Sequence, residues 1–150
     1  MPKKTSGLPH PSLCSEAEWN AYADVVIELS GTHCSTAYVL DKKTGEVWGK
    51  STKKGNISSK EIKSITGVSN STGSLVMGGH SYNAVNCLQL CAVGRTFVFE
   101  RTAEGAHYQV VIQRTSKANI VGWGGLHAKM PTKITTGVQE IAAILNSAGF

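Results

Sequence analysis

Acidic residues are scarce in this chain, with ten Asp and Glu in 150 residues, and they show no paired-carboxylate signature of general acid–base catalysis. No run approaches the roughly 18 apolar residues needed to span a bilayer. The first residues, Met1 to Gly7, are polar and lack the apolar core of a secretory signal. The four cysteines, at 14, 34, 87 and 91, are therefore expected to be free thiols in a reducing cytoplasm. There is no Gly-x-Ser-x-Gly elbow. Cys87 and Cys91, with His80 upstream, make a single pair inside an apolar run, whereas a structural zinc site usually draws four ligands from two tight pairs. His33 and Cys34 are neighbours at the start of a predicted strand and point to opposite faces, which separates a base from its nucleophile. The glycine-rich Gly122-Trp123-Gly124-Gly125 lacks the spacing of a phosphate-binding loop and reads as a strand end or bulge.

Charge is modest too, with a formal net of +5 and 17% charged residues. The lysines come as the pairs Lys3-Lys4, Lys42-Lys43 and Lys53-Lys54 rather than as a basic block, so solvated loops explain them better than a nucleic-acid surface. Hydrophobic residues make up 41%, enough for the core of one ordinary domain. Of only four prolines, three (Pro2, Pro9 and Pro11) fall at the start, which makes residues 1–14 a flexible or loosely docked extension and 15–150 the folded domain.

Ser15 to Glu18 fits a capping box, and Trp19, Tyr22, Val26 and Leu29 follow at helical spacing, with Gly31 able to end the helix. A strand over 34–40, turn residues from Asp41 to Gly45 and a second strand over 46–50 make a hairpin. Ser58 to Glu61 is another capping box, for a short helix through Ile62 and Ile65 that stops at Gly67. Strands are predicted at 74–78, 81–87, 95–101, 107–114 and 118–123. Within the fourth, Tyr108, Val110 and Ile112 alternate with Gln109, Val111 and Gln113, giving one clearly apolar face. Thr135 or Thr136 caps a last helix with Val138, Ile141, Ile144 and Leu145 on its apolar side. The order is helix, hairpin, helix, antiparallel meander, helix, an α/β (α+β) architecture in which the terminal helices can share one face of the sheet.

Aromatic residues gather where those terminal helices meet. Trp19 and Tyr22 share a face, and Trp48 sits on the second strand with Glu46 and Lys50 at alternate positions. Such residues serve either as core or as an exposed groove for polyproline II segments, whose rings stack on flat aromatics at small entropic cost.

At this point the sequence resembles the profilins, from about Glu18 to Phe150. Trp19-Asn20-Ala21-Tyr22 is similar to the family's first helix, and Val47-Trp48 to the strand bearing its second tryptophan. Ser58-Ser59-Lys60-Glu61-Ile62 is similar to its short helix start, Leu75 through Tyr82 to its Leu-x-x-Gly-Gly strand turn, and Ile144-Leu145 with Gly149-Phe150 to its C-terminus. The resemblance implies a central antiparallel sheet with the terminal helices packed on one face and the short helix on the other. It implies a cytoplasmic, cytoskeleton-associated binding protein that is not an enzyme and needs no cofactor. A polyproline-binding surface would use Trp19, Tyr22, Trp48, Ile144, Leu145 and Phe150. Ile144 stands where His or Tyr is frequent and Phe150 where Tyr is frequent. Each loses a hydrogen-bond donor worth about 1 kcal/mol, so affinity is expected to be weakened rather than abolished. A surface for monomeric actin or an actin-like protein would use Asn83, Val85, Asn86, Arg101, His107, Gln109, Thr135 and Gln139, although Asn86 stands where a basic residue is common. Arg95, Arg101, Arg114, Lys117, Lys129 and Lys133 are candidates for anionic phosphoinositide headgroups on charge grounds. Residues 1–14 are an addition to the family pattern, and their Leu8-Pro9-His10-Pro11 starts beside the implied groove as a candidate occluding segment. Two other readings stand beside this one: a longin- or PAS-like interaction module that buries Trp19 and Trp48, and an enzyme with a Cys/His site around Cys34 or Cys87.

Overall fold

A computed structural model describes residues 8, 10–11, 14–30, 34–51, 57–69, 71–85, 96–103, 105–126 and 132–150. The elements run α1 (Glu16–Leu29), β1 (Thr36–Asp41), β2 (Val47–Lys50), α2 (Ser59–Thr66), β3 (Ser74–Met77), β4 (His80–Ala84), β5 (Thr96–Ala103), β6 (Ala106–Arg114), β7 (Ala118–Leu126) and α3 (Thr132–Ser147). The seven strands form one antiparallel sheet in the order β2-β1-β7-β6-β5-β4-β3. Only the β1–β7 neighbours are distant in sequence, and their pairing closes the chain's two halves together.

Both capping boxes form. Glu18 accepts the Ser15 N–H at 2.8 Å, and that bond holds its carboxyl below the usual range. Ser58 and Glu61 exchange the same pair of bonds at the head of α2, whose C-cap is Gly67 as the sequence predicts. The second oxygen of Glu61 accepts the Gly79 N–H at 3.0 Å, tying α2 to the β3–β4 turn. Helix α1 has its C-cap at Ser30, whose hydroxyl donates to the Val26 carbonyl at 2.7 Å; Gly31, expected to end the helix, lies outside the described residues.

The sheet is buried on both faces, as the family resemblance implies. Facing α1 and α3 are Val39, Val98, Val111 and Ile120, packed with Val26, Ile134, Val138, Ile141 and Leu145. The opposite face carries Tyr38, Phe97, Phe99, Val110, Ile112 and Val121, packed with Ile65 of α2. Gln109 and Gln113, expected on a polar face, are consequently buried and find side-chain partners in Glu100 and Thr96.

Two more boundaries differ from expectation. Helix α3 begins at Thr132, ahead of Thr135, because its first apolar contact is Ile134, fully buried with Val138 over the Gly122 backbone of β7. That contact is tertiary. The Gly-Trp-Gly-Gly run lies inside β7 and does not end it. Helices α1 and α3 cross closely at Gly137, where a Cβ would stand 2.2 Å from the Ser30 Oγ and 2.5 Å from the Val26 oxygen.

Candidate functional site

Helix α1 presents Trp19 and Tyr22 one turn apart, toward the end of the sheet where β2 forms the edge. The Lys50 N–H donates to Asn20 Oδ1 at 2.9 Å, fastening β2 alongside α1 and fixing Trp48 next to Trp19. Their ring centroids are 5.1 Å apart, and Tyr22 lies 5.4 Å from Trp19 on the helix.

Phe150 arrives from α3. Gly149 has φ of 85°, a left-handed conformation in which glycine is the natural residue, and it turns the chain back on itself. The Phe150 N–H then bonds the Leu145 carbonyl at 2.8 Å and the Gly149 N–H bonds the Asn146 carbonyl at 3.1 Å, a Schellman closure. The Phe150 backbone oxygen accepts from the Thr115 hydroxyl at 2.7 Å and from the Lys117 N–H. So seated, the Phe150 ring lies 5.9 Å from Trp19 and 6.2 Å from Trp48, edge-on to the latter, with the Lys117 ammonium 5.0 Å over its face. Pair geometries of this kind each contribute about 0.5–1.5 kcal/mol beyond buried area.

All six residues expected at a proline-binding surface therefore meet in one apolar cluster. They differ in access. Trp19 is 8% exposed, Tyr22 1% and Leu145 fully buried, while Trp48, Ile144 and Phe150 are half-buried and form the reachable part. Burial pushes the Tyr22 phenol up to about 12, with the nearby Cys14 adding to the effect, so it is a neutral donor at ordinary pH.

The residues expected at an actin surface are divided. Register places Asn83 beside Glu100, and Glu100 beside Gln109, so these side chains and those of Val85 and His107 share the α3 face of the sheet. Val85 is 38% exposed, His107 is half-buried and Gln109 is 1% exposed, donating to Glu100 at 2.8 Å. From α3, Gln139 donates to the Thr96 hydroxyl at 3.0 Å and Thr135 is half-buried nearby in sequence. Arg101 points the other way. Its guanidinium lies 4.5 Å over Tyr108 and 5.7 Å from the Tyr82 centroid, and the Trp123 indole donates to the Tyr82 hydroxyl at 2.9 Å. Asn86 lies outside the described residues.

Among the basic candidates, Arg114 is consumed structurally. It donates to the carbonyls of Ile65, Thr66 and Val68 at the end of α2 and to Asn119, and it stacks on Phe97. Lys117 is exposed beside Phe150, while Arg95, Lys129 and the Lys133 side chain fall outside the described residues. Cys34 is buried, its thiol pushed up by desolvation and donated to the Thr36 carbonyl at 3.3 Å, which makes it a poor nucleophile. His33, Cys87 and Cys91 are outside the described residues. Among the described residues no group of three or more His, Cys, Asp or Glu is placed to hold a metal, and no helix is long and apolar enough to cross a membrane.

Sequence reasoning missed two contributors to the site. Asn20 fixes the strand that carries Trp48, and Thr115 fixes the Phe150 backbone. Asn20 carried a readable signal, a polar residue between Trp19 and Tyr22 on the helix, whereas Thr115 depends on a pairing visible only in the fold.

Comparison with known proteins bears on the family and the fold. A family model described as Profilin matches residues 17–150. No curated protein sequence matches the chain. Among solved structures, Schizosaccharomyces pombe profilin superposes with a TM-score of 0.68 at 18% identity, covering 88% of this chain and 99% of its own. Mouse profilin IIa, solved with a double repeat from the FH1 domain of mDia1, gives 0.66 at 18% identity, covering 88% and 99%. LokiProfilin1, solved in complex with rabbit actin, gives 0.64 at 17% identity, covering 89% and 97%. At these identities the structural likeness is one of fold.

Proposed function

Because this chain belongs to the profilin family, we propose that it binds monomeric actin, or an actin-like protein, on one face and proline-rich segments on another, and so regulates actin filament assembly. The observation that carries the reading is the aromatic cluster of Trp19, Trp48 and Phe150 at the meeting of α1, β2 and α3. Flat rings in that arrangement stack on proline rings, and the indole and phenol hydrogens are the donors that match a polyproline segment's free carbonyls. The solved relatives with an FH1 repeat and with actin support both halves of the reading. Trp19 is more buried than an open groove requires, which is what a longin- or PAS-like module would also show; the family match decides for a profilin.

The protein acts by binding, with no catalytic residue and no cofactor in the mechanism. Holding a proline-rich partner and an actin monomer together raises the local concentration of one near the other, to the millimolar range for short tethers. The actin side of the proposal uses Asn83, Val85, His107, Gln109, Thr135 and Gln139; Arg101, on the opposite face, is not included. Anionic phosphoinositide headgroups are a further proposed partner, with exposed Lys117 at the edge of the aromatic cluster as the contact.

Fluorescence titration with a decaproline peptide tests the proline half. Wild type is expected to give a saturable change in tryptophan emission, and Trp48→Ala to lose at least about tenfold in affinity, a typical cost of about 1.4 kcal/mol for removing one stacking ring. Binding of labelled monomeric actin by the same two proteins is expected to be equal, since Trp48 lies at the β2 edge of the sheet, away from β4 and β5. An unchanged decaproline affinity in Trp48→Ala would remove this cluster from the proposal.

A further inference from the structure

A cavity of about 500 Å³ opens at the β2 edge of the sheet, lined by Tyr38, Val47, Trp48, Lys50, Ile57 and Ile62, with Asn20 of α1 at its side. That size falls in the ~300–1,000 Å³ range of ligand pockets. The cavity lies where the two cores meet. Trp48 packs on the cluster below α1 and α3, whereas Tyr38, Ile57 and Ile62 belong to the core on the α2 face.

Its lining is graded from floor to mouth. Tyr38 is 4% exposed and makes the floor. Burial pushes the Tyr38 phenol up; a hydrogen bond with the Ile57 backbone pulls the other way, and the Glu61 carboxylate raises it further. A negative charge is therefore felt at the floor. At the mouth, Val47 is 38% exposed and Lys50 is exposed. The β1–β2 register sets Lys50 opposite Tyr38 on the same face, and the Lys50 N–H is fastened to Asn20 at 2.9 Å. Ile57, Ile62 and Val47 thus favour an apolar group inside, while Lys50 favours an anion at the mouth and Glu61 disfavours one below.

We propose that this cavity seats the residues flanking a partner's proline run, an apolar side chain inside and an acidic one at the mouth against Lys50. This rests on the proline-binding reading above and adds partner specificity to it. Continuity favours that occupant. The Trp48 ring is 5.1 Å from Trp19 and 6.2 Å from Phe150 in the aromatic cluster, and Trp48 is also a wall of the cavity. A segment stacked on the cluster meets the cavity with its first or last residues. Charge complementarity then selects the acidic flank. A plain proline run supplies neither group, so the cavity separates proline-rich partners that ring stacking alone treats alike.

The test measures peptide affinities of the intact protein by tryptophan fluorescence. The probes are decaproline, decaproline followed by Leu-Glu, and decaproline followed by Leu-Lys. A second set with Glu-Leu or Lys-Leu in front covers the opposite chain direction. Wild type is expected to bind a Leu/Glu peptide about tenfold more tightly than decaproline, the lower end of what one seated apolar group gives, and more tightly than its lysine counterpart. Val47→Asp is expected to abolish the gain over decaproline, and Lys50→Glu to reverse the preference for glutamate over lysine. Each ratio is taken within one protein, so a change in decaproline binding itself cancels. Equal wild-type affinity for all the peptides, or ratios unchanged in both variants, would overturn the cavity proposal and leave the proline-binding reading standing. Failure of wild type to bind any of them would overturn both. NMR gives a second readout. The Val47 and Ile62 methyl signals are expected to shift with the Leu/Glu peptide and to stay put with decaproline. Methyl signals that shift with protein concentration alone would assign the cavity to a second copy of the chain and also overturn the proposal.

Discussion

Phe150 reaches the aromatic cluster with its ring but without a hydroxyl, and its ring is half-buried against Trp19 and Trp48. A phenol there would add a donor at the reachable edge of the cluster. Phe150→Tyr is accordingly expected to tighten decaproline binding by about fivefold, the equivalent of one net hydrogen bond of about 1 kcal/mol. Isothermal titration of the two proteins reads this directly, and a weaker or equal affinity would show that position 150 contributes packing alone. At this scale the sequence was informative about which residues assemble and silent about access. Trp19, Tyr22 and Leu145 are legible as neighbours from helical spacing and the family resemblance. That they lie under the cluster's surface depends on how closely α1 and α3 cross at Gly137, which leaves no local trace. Arg101 illustrates the limit from another side. A one-residue step along β5 changes the sheet face, and charge alone does not reveal that this guanidinium stacks on two tyrosines.

Helix ends decide whether the aromatic cluster is assembled. The head of α1 was readable because a capping box is written in four consecutive residues, Ser15 to Glu18, and α2 was readable for the same reason. The head of α3 was not, since its first buried residue, Ile134, packs on β7 through a tertiary contact. Its tail is set by Gly149, whose φ of 85° directs Phe150 back over α1. An alanine at this position pays about 1–2 kcal/mol to adopt the left-handed conformation. Gly149→Ala is therefore expected to lower the thermal midpoint by several degrees and to weaken decaproline binding at the same time. Differential scanning calorimetry together with the fluorescence titration separates the effects: a stability loss with unchanged binding would mean that Phe150 holds its seat without the Schellman turn.

At the scale of the molecule, one antiparallel sheet keeps two sets of residues apart. The aromatic cluster lies by the β2 edge, while Asn83, Glu100, Gln109 and Gln139 lie toward the β4–β5 side and α3. This separation is what permits two partners at once. The order of elements was legible along the chain, because turn residues punctuate the β3–β4, β5–β6 and β6–β7 hairpins. The burial of Gln109 and Gln113 was not, since both look solvent-facing until Glu100, Thr96 and Gln139 are brought beside them. The three tryptophans sample this layout as built-in reporters. Trp19 and Trp48 are in the aromatic cluster, and Trp123 is on the opposite sheet face with its indole N–H given to Tyr82. The most direct test of the account follows the three indole N–H signals by NMR as decaproline is added to the intact protein. Proline binding at the cluster predicts that the Trp19 and Trp48 signals shift in a saturable way while Trp123 stays fixed. A shift at Trp123 alone, or no shift at any of the three, would contradict it.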